Sequence, residues 1–416
     1  YKLVIGVAIP LVVCGLLAQA PSFETHYRNG LLALNQNQLQ VARTQLEAAR
    51  KLQPRNGRVW VALAQTYQKL GNLALSEKAA AQAEKLAPED AAVLQSLSLY
   101  YSGRDEPAKA AAFEARYAAR APEDRAAAAR AMDLYLEAGQ PKPAIELGLR
   151  APDRERRAEI RNLLGKAYHA DQQYAKAIPE LQEAIRLSPY EEAYHFDLAL
   201  VLLQHHNFEV AIRVLEASKQ IFAKSAQLEL ALGVAHYGQG HHPEAVEAFL
   251  RTIALDPSAE QPYVFLGRLL ERAGEQLPEV IKRFEALERS EPKNHLGWFL
   301  HAKALNQKME SPELSEKLLR QAIALNGAFW ESHYELGKVL EQAGRLAEAA
   351  EAYRRSGELD AQVPAPHFRL ATVLLKLGQS EEARAERDLY QKLAAAERTS
   401  VQERLAKTVR LDLVVK

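Results

Sequence analysis

Residues 160–189 read IRNLLGKAYHADQQYAKAIPELQEAIRLSP. Leu164, Gly165 and Tyr168 share one face of a first helix, and Ala177, Leu181 and Ala184 share one face of a second, at the spacing of a buried stripe. The polar run at 171–173 marks the turn between them. Gly165 and the alanines fall where two helix axes come closest, because a larger side chain would hold the backbones apart. Pro189 then stops the second helix, since it lacks an N–H and disfavours helical geometry in the residue before it. The segment therefore predicts a helix hairpin.

The hairpin recurs along the chain. Prolines stand at even intervals at Pro54, Pro88 and Pro122, and Pro189, Ala223, Pro257 and Pro292 continue the same interval further on, within a single position. Between these points each segment again shows two apolar stripes with a polar or glycine-bearing turn. A chain of 416 residues organised this way grows its core repeat by repeat. Lys+Arg and Asp+Glu both total 53, so there is no net field to draw in nucleic acid, and none is expected as a partner. The single cysteine, Cys14, allows no intramolecular disulfide and no thiolate metal cage.

The pattern resembles the tetratricopeptide-repeat (TPR) family. One unit shows it in Trp60, Leu63, Ala64, Tyr67, Ala83 and Pro88, and another in Leu232, Gly233, Ala245, Phe249 and Pro257. Tyr263, Leu266, Gly267, Gly274 and Phe284 continue it, as do Leu336, Gly337, Gly344, Ala349 and Tyr353. Eleven units fit in phase over 23–390. The resemblance implies an all-α, right-handed superhelical α-solenoid, here preceded by one hydrophobic N-terminal helix. The expected organisation is a hydrophobic segment at 1–20, N-terminal repeats at 21–122, a short irregular joint at 123–152, C-terminal repeats at 153–390, a polar capping helix at 391–408 and a strand-like or disordered tail at 409–416.

In such a solenoid the first helices line a concave groove with positions 2, 5, 9, 12 and 13 of each unit. Position 5 supplies Tyr27, Val61, Gln95, Asn162, Phe196, Leu230, Val264, Phe299, Tyr334 and Phe368, and position 9 supplies Lys166, Arg268, Lys303 and Lys338. These make aromatic pads flanked by cations, suited to a partner segment with apolar anchors and acidic neighbours. The alternative is that position 5 packs on the next repeat and the cations pair with nearby glutamates. The Lys and Asn combination with which some family members clamp a terminal carboxylate is missing, which disfavours a chaperone-tail clamp.

His205, His206, His241 and His242 fall in successive turns, with His236 nearby. Imidazoles of this kind can hold a transition metal, but no carboxylate or cysteine completes a set, so polar turn residues are the expected reading and no metal or cofactor is expected. There is no glycine-rich phosphate loop, CxxCH, HExxH or GxSxG motif, and no enzyme is expected.

The run from Leu3 to Ala20 carries no charge and follows Lys2, and its length is close to that of a membrane-spanning helix. It reads as a signal anchor with the repeats outside the cytoplasm. Competing readings are cleavage after Ala18-Gln19-Ala20, which Pro21 opposes, and lipidation at Cys14, which Val13 opposes. A pilin-like assembly helix would want Glu where Ile5 stands. The expected function is a membrane-anchored, periplasmic or cell-surface scaffold that binds other proteins in its groove and helps assemble or position an envelope, secretion or electron-transfer complex. Two alternatives are a self-assembling protein whose copies stack into a fibre or sheath, and an outer-membrane lipoprotein assembly factor.

Overall fold

A computed structural model describes residues 22–308 and 311–406. The leader at 3–20 with Cys14, and the tail at 409–416, lie outside the described residues. Among those described there are 22 α-helices and no strand, so the chain is an all-α solenoid of helix hairpins. No described helix is long and apolar enough to cross a membrane.

The helices form two compact units, one ending at Gln173 and the other beginning at Tyr174. The first unit contains the hairpins α1 (Phe23–Asn35) with α2 (Leu39–Leu52), α3 (Gly57–Lys69) with α4 (Leu73–Leu86), α5 (Ala91–Ser102) with α6 (Pro107–Arg120), and α7 (Ala127–Glu137) with α8 (Pro141–Arg150), followed by α9 (Ala158–Ala170). The second begins with α10 (Tyr174–Leu187). It continues as α11 (Glu192–Gln204) with α12 (Phe208–Lys219), α13 (Ala226–Gln239) with α14 (His242–Leu255), and α15 (Gln261–Leu269) with α16 (Leu277–Ser290). Three more hairpins follow: α17 (His295–Lys308) with α18 (Pro312–Leu325), α19 (Trp330–Gln342) with α20 (Leu346–Leu359), and α21 (Pro364–Lys376) with α22 (Ser380–Ala406).

Small residues let the helices of a hairpin touch. A Cβ on Gly337 would lie 2.5 Å from the Tyr353 ring, so α19 and α20 can close only over a glycine. Leu164, Tyr168, Ala177, Leu181 and Ala184 are all buried, as their stripes require. The turn inside a hairpin needs one residue in the left-handed region. Gly71 supplies it at φ 77°, and Asn37, Asp105, Gln172 and His206 supply it at φ 54° to 60° elsewhere.

Residues 123–152 form the short hairpin of α7 and α8, 11 and 10 residues long, which packs on α6 and α9. Asp153 then takes a left-handed conformation and 154–156 make one turn of 3-10 helix. The division between the two units falls beyond this stretch. At the far end, α22 runs unbroken through 390 and 391, so the residues expected as a separate cap continue the last repeat's second helix as far as 406. No glycine or proline stands in 380–406 to break it.

Candidate functional site: the first-helix face

Within each unit the first helices of successive hairpins touch one another, as α1 with α3, α3 with α5, α11 with α13, α15 with α17 and α17 with α19. Among the second helices α14 and α16 make the corresponding contact. The first helices thus occupy the more closely spaced side of each stack, where positions 5 and 9 were expected to meet a partner.

That expectation divides when each side chain is placed. Val61, Leu230 and Phe299 are buried at 2%, 3% and 5% exposure. They belong to the core and are corrected from contact residues to packing residues. The reason at Phe299 is the start of the next repeat: the Phe329 ring closes edge-on at 5.1 Å, and Lys303 lies over the other side with its ammonium 6.0 Å from the ring centre. Tyr27, Phe196 and Tyr334 are half-buried. Tyr334 packs against Trp330 and Tyr353, with the Lys338 ammonium 5.8 Å away. Val264 and Phe368 stand open at 51% and 50% exposure, Arg268 is exposed beside Val264, and Leu375 is 44% exposed on the same helix as Phe368. Phe368 leans on Tyr390 with ring centres 5.2 Å apart. In the second unit the position-5 row is therefore open at Val264, closed at Phe299, partly covered at Tyr334 and open again at Phe368.

The cations on this face are largely engaged within the chain. Lys303 donates to the Gly267 carbonyl at 2.7 Å, and burial pushes its pKa below that of an ordinary lysine. Lys338 pairs with the buried Glu335 at 2.9 Å. Lys376 pairs with Glu341 at 2.7 Å, an acid that also accepts from the Tyr353 hydroxyl at 3.0 Å.

The clustered histidines are held separately. The His205 ring lies tilted against Tyr174, His206 meets Phe208 at 5.5 Å, His241 faces His236 at 5.8 Å, and His242 lies 3.4 Å from Arg272. Among the described residues no three His, Cys, Asp or Glu side chains are placed to hold a metal ion.

Sequence reading named Trp60 and Tyr263 as part of the repeat pattern but missed the bond that they and their equivalents make. At position 4 of the first helix, Trp60, Tyr263 and Trp298 donate to the carbonyls of Pro54, Pro257 and Pro292 at 2.8, 2.9 and 3.0 Å. The rings of His195 and His333 make the same bond, to Pro189 at 3.0 Å and Gly327 at 3.1 Å. Each bond has the same separation along the chain and ties a hairpin to the turn that leads into it. The signal was available: a ring N–H or O–H donor recurs at a fixed offset after the turn.

Repeated hairpins that pack only on their neighbours, with the first helices on the closer side, define a helical-repeat scaffold. The chain belongs to the tetratricopeptide-repeat family, whose model matches residues 27–91, 196–260, 230–277 and 307–364, with a second model of the repeat matching 158–191. It is a protein-interaction scaffold. No curated protein matches it in sequence. Among solved structures it is similar to yeast Tom70, at 15% identity and a TM-score of 0.37 over 92% of this chain and 96% of the other. A Naa15/Naa10 structure bound to HypK-THB is similar at 12% identity and a TM-score of 0.39, over 88% and 68%. The Cut9–Hcn1 hetero-tetramer of the APC/C is similar at 12% and 0.36, over 90% and 94%.

Proposed function

We propose that this chain is a non-catalytic scaffold that holds protein segments against the first-helix face of its second unit. The observation behind the reading is the open pair Val264 and Phe368, apolar side chains about half exposed on a face whose intervening positions, Phe299 and Tyr334, are buried and half-buried. Exposed apolar groups on an ordered face favour a partner's apolar anchors, and the exposed Arg268 beside Val264 favours an acidic neighbour. The uncharged run at 3–20 supports a membrane location with the repeats outside the cytoplasm, where such a scaffold would assemble or position an envelope, secretion or electron-transfer complex.

The test compares the wild-type chain with a Val264→Asp, Phe368→Asp variant. Cross-linking from each, with mass spectrometry of the captured proteins, is paired with sedimentation velocity of the purified chains. A defined partner lost in the variant supports the reading. Capture that survives both substitutions, or concentration-dependent polymers of the pure wild-type chain, overturns it.

A further inference from the structure

A cavity of about 360 Å³ opens between α12, α13, α14 and Gln276, away from the positions expected to line the groove. Two of its polar lining residues stand where other repeats carry aromatic or apolar groups. The position held elsewhere by Trp60, Tyr263 or Trp298 is Glu229 here, and the position held by Tyr67, Tyr168, Leu270 or Leu305 is His236. Both polar groups are buried, at 4% and 9% exposure.

Neither is fully paired within the chain. Glu229 Oε1 receives Lys219 at 3.2 Å and Arg251 at 3.7 Å, yet Glu229 Oε2 has no hydrogen-bond partner. His236 Nδ1 and Gln276 Oε1 are also buried without a partner, while the Gln276 amide nitrogen is spent on the Pro243 carbonyl at 3.1 Å. Leaving such groups unpaired is costly, so a ligand that completes them gains more than an exposed contact would. A carboxylate oxygen and an amide oxygen are acceptors only. Burial lowers the His236 pKa, outweighing the opposite pull of Glu244 and Glu216, so the ring is neutral near pH 7, and its Nδ1 is an acceptor when the proton sits on Nε2. The lining also carries Glu216, Glu229, Glu244 and Glu247 against Lys219 and Arg251, a net negative wall. Such a cavity calls for a cationic donor. The described residues place no three metal-ligating side chains together, which leaves an organic cation.

We propose that this cavity receives the guanidinium of an arginine side chain on a bound protein segment. A planar group with five donors can serve acceptors on separate elements at once, whereas an ammonium presents three donors at one point. The choice of a protein arginine rests on the scaffold reading; the guanidinium itself does not.

The test uses the full chain with labelled histidine. Acetyl-arginine amide, a Gly-Gly-Arg-Gly-Gly peptide, free arginine and acetyl-lysine amide are titrated while the His236 ring resonances are followed. The expected result is a saturable shift with the first two probes, about tenfold or more weaker in Glu229→Gln and in Gln276→Leu. His236→Leu, which installs the residue other repeats use, removes that reporter; isothermal titration calorimetry of acetyl-arginine amide should show binding to the wild-type chain and none to this variant, whose helical circular dichroism is kept. No saturable shift, unchanged binding in both Glu229→Gln and Gln276→Leu, or a tighter response to acetyl-lysine amide overturns the proposal. Binding of free arginine alone overturns it too, since the site would then serve a small metabolite. Because these probes need no protein partner, a failed scaffold test with intact probe binding sinks only the scaffold reading.

Discussion

Gly337 lies against the ring of Tyr353 so closely that a methyl group on it would stand 2.5 Å from the ring carbon Cε1. Tyr353 is fully buried, and its hydroxyl donates to Glu341 at 3.0 Å, so the ring has no free direction in which to retreat. Gly337→Ala should therefore destabilise the second unit by about 1–3 kcal/mol, despite alanine's better helix propensity. Urea unfolding followed by circular dichroism reads the loss directly. An unchanged or higher midpoint would show that the hairpin can open to admit the methyl group.

Phe299→Ala and Phe368→Ala should behave differently, although both phenylalanines occupy the same repeat position. The first empties a core site and is expected to cost about 3–5 kcal/mol. The second removes a half-exposed ring and should change stability much less, since what it loses is contact with Tyr390. Denaturation midpoints of the two single variants make the comparison, and equal losses would place Phe368 in the core as well.

The bond from position 4 to the preceding turn can be weighed with Tyr263→Phe. Tyr263 is 2% exposed, its hydroxyl donates to the Pro257 carbonyl, and Asn294 donates back to it at 2.7 Å. Removing the oxygen while keeping the ring should cost about 1 kcal/mol. A neutral result in urea titration would mean that the Asn294 bond to the same carbonyl, at 3.0 Å, suffices alone.

Acid should weaken the fold in a defined window. Burial holds His236, His295 and His333 below the ordinary imidazole pKa. Above about pH 6.5 these rings are neutral in both states and contribute no penalty. As pH falls below that value the unfolded chain binds protons that the folded chain resists, so stability drops with decreasing pH until the folded rings themselves titrate. Urea midpoints taken at intervals from neutral to mildly acidic pH should decline, and His236→Leu should flatten the decline. A midpoint independent of pH over that range would show that these rings accept protons in place.

The fold was legible because its signals are local. Prolines at an even interval and small residues at fixed offsets determine where helices end and where they touch, whatever the rest of the chain does. Exposure on the first-helix face was not legible in the same way. Phe299 and Phe368 look alike in register, but the first is buried against Phe329 from the next repeat and the second stays half-exposed beside Tyr390. Whether a position-5 ring is open depends on a neighbour from a later element, at the point where another helix begins or passes. Glu229 and His236 were visible as departures from the repeat, yet matching Leu232 and Gly233 nearby drew the unit into the pattern. Their meaning emerges only when the cavity that they line is seen.

The bond between Trp60 and the Pro54 carbonyl, repeated at Tyr263 with Pro257 and at Trp298 with Pro292, also marks where such a gene can be cut and rejoined. A duplication or deletion whose joints fall at the prolines keeps every ring with the carbonyl it was born beside. Because the proline recurs at the same offset, a whole-repeat step jointed elsewhere still sets a carbonyl six residues before the ring, whereas a step of any other length leaves the junction short of a bond. Lengthening or shortening this chain by inheritance is thus least disruptive in steps that run from proline to proline.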